Sequence, residues 1–153
     1  MKQIQRLKEE ENNSGQKEWD AKRFLSKNNY LIQTDAVKRY LLPQMNYREN
    51  LQWLAYAEEA DILNVALFGF TAKAWREANP ELAKKNNVRD FATINELTVL
   101  SNLESHNAQM IKEGKKKEER FKILQEIAEY QLNVLNTAEK IKMLEDENQL
   151  VEI

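Results

Sequence analysis

The chemistry open to this chain is narrow, because its 153 residues include one histidine and no cysteine. Asn102 lies four residues before His106 and Met110 four residues after it, so no second metal ligand falls at helical spacing. A Ser-His-Asp triad would need the same histidine, and no serine lies in a G-x-S-x-G turn. We therefore predict no catalytic residues, no metal and no cofactor. We interpret His106 as a polar residue at a helix surface or hydrogen-bonded in the core.

Three carboxylates beside apolar positions, Glu58, Glu59 and Asp61, are the remaining acid–base candidates. Burial would raise their pKa values towards the range useful for proton transfer. The edge of a helix that faces solvent explains the same pattern, and we prefer that interpretation. The sequence thus predicts a protein that is not an enzyme and has no small-molecule substrate.

The densest local charge is a basic cluster where one predicted helix ends and the next begins. Its members are Lys112, Lys115, Lys116, Lys117, Arg120 and Lys122. Such a cluster can hold phosphates or an acidic partner, whereas lysines at a helix C-terminus also complement the helix dipole. Because glutamates are interleaved with these residues, a solvated turn remains the alternative.

A second candidate surface combines aromatic and charged residues. Trp75 and Arg76 lie in one predicted helix, and Arg89 and Asp90 lie in the connection that follows. They are typical of a partner-binding surface. The alternative is a tryptophan anchored in the core and an Arg–Asp pair that braces a loop.

The elements that position these residues are predicted to be helical throughout. Apolar residues recur at spacings of three and four, and only three glycines and two prolines are present. The pattern predicts an all-α fold, a compact bundle of about five helices with a long C-terminal helix. The expected helices span residues 17–42, 49–68, 71–77, 93–114 and 116–148. Thr34-Asp35 could instead cap a second helix within the first span.

Local signals refine these helices. Thr93 and Glu96 have the spacing of a capping box, and Gly69 is placed to end a helix in the left-handed conformation. Two apolar stripes along residues 49–68 predict that this helix lies in the middle of the bundle.

Three segments are expected along the chain: an exposed N-terminal segment over 1–15, a helical domain over 16–135 and a charged helical tail over 136–153. The last helix is long for a globular protein, so we expect its final third to project and to pair with another chain, including a second copy.

The N-terminal residues lack the apolar run of a signal peptide, and no apolar stretch approaches ~20 residues. We therefore expect a cytoplasmic protein that does not enter a membrane. Its formal net charge of −2 argues against a uniformly basic nucleic-acid surface.

Several segments together resemble the C-terminal region of KilA-N domain proteins of phages and bacterial mobile elements. They are Gln5 to Glu11, Asp61 to Gly69, Thr71 to Arg76, Asn79-Pro80, Val88 to Thr93 and Leu100 to Ser105. The resemblance extends over most of residues 3–135. In that family an N-terminal KilA-N domain is thought to bind DNA. Because this sequence starts close to where that domain would end, we do not carry the DNA-binding role over.

The resemblance implies two functions. The first is a phage or prophage interaction protein that binds and sequesters a host protein or nucleoprotein, such as a CRISPR–Cas effector or its guide RNA, as an anti-CRISPR inhibitor would. The second is a transcriptional co-regulator that oligomerises with full-length KilA-N proteins through the long C-terminal helix.

Overall fold

The computed structural model describes residues 15–17, 20–21, 23–24 and 27–151, with side chains up to residue 148. This part of the chain contains helices and no strand, which confirms the predicted all-α fold with its long C-terminal helix. Most of the predicted N-terminal segment 1–15 lies outside the described residues. We number the α-helices α1 (27–36), α2 (Trp53–Phe68), α3 (Ala72–Ala78), α4 (Ile94–Lys112) and α5 (Lys117–Val151).

Helix α1 does not restart at Thr34. The Thr34 hydroxyl donates to the carbonyl oxygen of Leu31 at 3.0 Å instead of capping a new helix, so the alternative of a second helix is wrong. The chain continues from α1 into a π-helical segment, Val37–Leu41. It then passes into a 3-10 turn, Leu42–Gln44, in which Pro43 prevents further α-helix.

The predicted caps are confirmed. The Glu96 amide donates to the Thr93 hydroxyl at 3.1 Å, and the Thr93 amide donates to the Glu96 carboxylate at 2.9 Å. Gly69 follows α2 with φ 85°, a conformation that residues with a Cβ rarely adopt. These local signals fix where α4 begins and where α2 ends.

The hydrophobic core has two parts, and α4 contributes to both. Helices α2, α4 and α5 enclose the first part: Ile62, Leu63, Val99, Leu100, Leu103, Met110, Leu124 and Ala128. The second joins the end of α1 to α2 and α4: Ala36, Val37, Ala55, Ala108 and Ile111. Truncating a fully buried leucine of the first part to alanine should cost about 2–5 kcal/mol.

Helix α4, rather than α2, is therefore the central helix of the bundle. The two predicted stripes of α2 overestimate its burial, because Trp53 at its start is 61% exposed. Ala55, Ile62 and Leu63 carry most of the apolar burial of α2.

Helix α5 packs on α2 and α4 along its first half, and its side chains are exposed over residues 136–148. Polar contacts extend the packing: Asn102 donates to Gln131 and Asn95 donates to Asn136, both at 2.9 Å. None of the helices in the described ranges is both long enough and apolar enough to cross a membrane.

Candidate partner-binding site

The predicted basic cluster forms a solvated turn between α4 and α5. Lys117 lies 3.4 Å from the Glu58 carboxylate, and Lys115 lies 3.8 Å from Glu113. The three remaining lysines, Lys112, Lys116 and Lys122, are exposed. Acidic neighbours thus offset much of the positive charge that the sequence pattern suggested, which weakens this turn as a phosphate-binding surface.

Arg120 does not belong to the surface cluster, and its assignment there is wrong. Its side chain is 2% exposed and forms a bidentate pair with Glu59, at 2.5 Å from Nη1 to Oε2 and 2.8 Å from Nη2 to Oε1. Its Nη1 also donates to Asn107 Oδ1 at 2.8 Å. The amide of Asn107 donates in turn to Glu59 at 2.9 Å and to Gln33 at 3.2 Å.

This buried network joins α1, α2, α4 and α5, and it corrects the expectation that Glu59 faces solvent. Glu59 is 4% exposed because it lies on the same face of α2 as Ala55 and Ile62. A carboxylate that accepts three hydrogen bonds, two of them from a guanidinium, is a structural ion pair. We assign the network to packing, since every charge in it is already neutralised.

The second predicted surface divides into two parts. Trp75 is half-buried and its ring centroid lies 5.8 Å from that of Phe91, so it anchors α3 against the turn Val88–Phe91. Arg76 is exposed on α3. Arg89 and Asp90 do not pair with each other as predicted, because each of them contacts another residue.

Arg89 and Asp90 each face a different neighbour. The Arg89 guanidinium lies 5.8 Å from the centre of the Tyr30 ring, and 3.5 Å from the carboxylate of Glu104. Asp90 accepts a hydrogen bond from the Asn87 amide at 2.8 Å and lies 3.5 Å from Arg23. The turn is thus braced from both sides, and Arg89 is held in one orientation.

These residues border an open cleft of about 550 Å³ between α1, α2, the turn Val88–Phe91 and α4. We call it the α1–α4 cleft. Its lining residues are Arg23, Lys27, Tyr30, Ala60, Asn64, Ala72, Asn87, Val88, Arg89, Asp90 and Leu97. Three of them are cationic and one is anionic, so the cleft favours an anionic ligand.

Two buried acceptors lie in or near the cleft wall. Asn64, which lines the cleft, is 5% exposed, and its Oδ1 accepts no hydrogen bond from the residues that the structure describes. Glu104 on α4 is fully buried beside Arg89, and neither of its oxygens accepts a hydrogen bond within the described ranges. Burial raises the pKa of Glu104 from 4.5 to about 7, and the nearby Arg89 charge partly opposes that rise.

Sequence reasoning found Arg89 and Asp90 but missed the cleft residues at and before the start of α1. A signal was present, since Arg23, Lys27 and Tyr30 follow one another at spacings of four and three and therefore share one helix face. The contribution of Asn64 could not be read from the sequence, because it depends on which face of α2 meets α4.

The histidine that the sequence singled out lies apart from the α1–α4 cleft. His106 is exposed on α4, as the prediction of a surface histidine allowed, and it borders a different depression from the α1–α4 cleft. In the described part of the chain, no group of three or more acidic or histidine side chains is arranged to hold a metal ion. Comparison with protein-family models, with curated proteins and with solved structures yields no match to this chain.

Proposed function

We propose that this chain is a non-enzymatic binding protein that holds an acidic segment of a partner protein or nucleoprotein in the α1–α4 cleft. The observation that carries the proposal is the convergence of Arg23, Lys27 and Arg89 on one open cavity whose lining holds a single acid, Asp90. Asp90 lies beside Arg23, and Arg89 lies beside the carboxylate of Glu104, so Lys27 supplies the lining charge that no described carboxylate offsets.

Preorganisation supports this function. Arg89 is placed between the Tyr30 ring and the Glu104 carboxylate, which reduces the side-chain entropy that a partner must offset on binding. Lys27 forms no ion pair with any described residue, so its charge is available to an incoming carboxylate or phosphate.

The biological setting that we propose follows from the resemblance to KilA-N proteins. In a phage or prophage, a small protein that binds through one cleft can sequester a component of host defence. A CRISPR–Cas effector is such a component, and its acidic protein surface or guide RNA would present the anionic groups. This setting is supported by the resemblance alone.

Affinity capture from a bacterial host lysate, followed by a titration with the recovered partner, tests the proposal. We expect Lys27→Glu to weaken binding by about 10-fold, because it replaces an attraction by a repulsion at the cleft. Lys38→Glu is the matched control, since Lys38 is exposed on the same helical stretch and does not line the cleft. Equal affinities of the two variants would contradict the proposal, as would turnover of a substrate by the purified chain.

A second function, co-regulation through oligomerisation with full-length KilA-N proteins, is favoured by a different observation. The outer face of α5 is apolar and exposed over several turns, with Val134 48% and Ile141 52% exposed. A helix of this kind is suited to pairing with another helix.

A further inference from the structure

The exposed half of α5 carries four large apolar side chains along one line. Tyr130 is 71% exposed, Val134 48%, and both Ile141 and Leu144 52%. Together with the polar Thr137 and Asn148 they form a stripe from residue 130 to residue 148, which is about 27 Å of helix. Large apolar side chains repeated at spacings of three, four and seven along one line are typical of a helix that packs against another helix.

The packed face of α5 carries Leu124, Ala128 and Leu135. Tyr130 and Val134 lie beside that face, because each follows by seven residues a side chain that packs against the core, Ile123 and Ile127. The stripe turns away from the body further along α5. Leu144 follows Leu135 by nine residues, and at ~100° per residue the two side chains point in opposite directions. Over residues 136–148 every side chain is exposed, so a second helix has room to cover this part of the stripe.

The a positions of the stripe, and Leu144 among its d positions, have residue types of a two-stranded parallel coiled coil. In heptad notation the a positions are Val134, Ile141 and Asn148, and the d positions are Tyr130, Thr137 and Leu144. β-Branched residues at a with leucine at d favour two strands, and one asparagine at an a position sets register and strand number. Asn148 would face its own copy in a parallel pair, which satisfies both amides.

The charges that flank the stripe complement each other across such a pair. Lys140 occupies a g position and Glu145 the following e position. In a parallel dimer the g position of one helix faces the following e position of its partner. Lys140 of each copy therefore lies beside Glu145 of the other copy. An antiparallel pair places g beside g and e beside e, and does not bring these two residues together.

We infer that two copies of this chain associate through residues 130–148 of α5 as a parallel coiled coil. This inference shares no residue with the α1–α4 cleft and does not rest on cleft binding. A KilA-N protein paired with α5 would occupy the same stripe as the second copy. Loss of self-association would leave cleft binding intact, and loss of cleft binding would leave the dimer intact.

Sedimentation analysis of the full chain at about 100 µM, where mass action favours association, provides the first test. We expect a dimer, and we expect Ile141→Glu to raise its dissociation constant at least about 100-fold, because two buried side chains are lost per dimer. Met143→Glu is the control: Met143 is 59% exposed and precedes Leu144 in the sequence, but it occupies a c position that faces away from the interface. A monomeric wild-type chain, or equal effects of the two variants, would overturn the inference.

A charge exchange tests the parallel arrangement. Lys140→Glu and Glu145→Lys should each weaken the dimer by about 2- to 30-fold, since each changes two exposed ion pairs. The double variant restores opposite charges across the interface and should recover the wild-type constant. Failure of the double variant to recover would exclude the parallel pairing of Lys140 with Glu145.

Cross-linking gives an independent measurement, which the absence of cysteine from the sequence makes specific. Leu144→Cys places the new thiols beside each other only when the helices are parallel and in register. We expect rapid disulfide formation with this variant and slow formation with Met143→Cys. Equal rates for the two variants would rule out the proposed register. Helix content by circular dichroism should be unchanged in every variant, because all of the substituted side chains are exposed.

Discussion

Replacing Glu104 by glutamine should stabilise the protein at neutral pH and leave it unchanged in acid. Glu104 is fully buried, and its only charged neighbour among the described residues is Arg89, whose guanidinium lies 3.5 Å away. Burial without hydrogen bonds disfavours the ionised carboxylate, which is why the pKa of this group rises from 4.5 to about 7. Glutamine has nearly the same shape and carries no charge.

The sign and size of the effect follow from proton linkage. Between pH 4.5 and about 7, the folded chain holds a proton on Glu104 that the unfolded chain has released. The free energy of unfolding therefore falls as pH rises through this range, and the contribution of Glu104 is absent below it. The two pKa values correspond to a destabilisation of about 3 kcal/mol above pH 7.

Urea unfolding of the wild-type chain and of Glu104→Gln, followed by circular dichroism at pH 4.5 and at about pH 8, measures this difference. Effects of packing are the same at both pH values, and other titrating groups are common to both proteins. The change in unfolding free energy on substitution should thus be about 3 kcal/mol more favourable at the higher pH. Parallel pH profiles for the two proteins would refute the conclusion that Glu104 takes up a proton on folding.

Three further substitutions test the buried ion pair, the cap of α4 and the left-handed backbone at Gly114. Glu59→Gln should destabilise the chain by about 3–5 kcal/mol in urea unfolding, because it leaves the buried Arg120 charge uncompensated. This effect is opposite in sign to that of Glu104→Gln at neutral pH. An unchanged unfolding midpoint would show that the Glu59–Arg120 pair is not buried in solution. Thr93→Ala removes the α4 cap and should cost about 1 kcal/mol, seen as a lower thermal midpoint that Thr93→Ser does not show. Gly114→Ala should cost about 1–2 kcal/mol, because Gly114 has φ 81°; a more stable variant would contradict the left-handed conformation.

The features predicted correctly from the sequence are those that depend on near neighbours. The capping box of Thr93 and Glu96 and the left-handed Gly69 involve residues within one turn of each other, so their geometry follows from spacing. Helical periodicity predicts the extents of α2 to α5 to within a few residues, because apolar residues recur along them at spacings of three and four.

The features that could not be predicted depend on which helix faces pack together when the helices are far apart in the sequence. The sequence groups Arg120 with the surface lysines because it lies among them in the chain, whereas its partner Glu59 lies 61 positions away. One clue existed: Arg120 precedes the core residues Leu124 and Ala128 at spacings of four, on the buried face of α5. The family resemblance and the partner that it implies remain predictions.

The buried network has a consequence for the order of folding. Gln33, Glu59, Asn107 and Arg120 come from four separate helices, and Gln33 and Asn107 are 74 positions apart. Their hydrogen bonds form only when all four helices have docked, whereas the leucine contacts of α4 and α5 can form in a looser assembly. We expect the network to be absent from the rate-limiting transition state, so that Asn107→Ala accelerates unfolding and leaves the refolding rate almost unchanged. The network would then set how long the native state persists, and not how quickly it is reached.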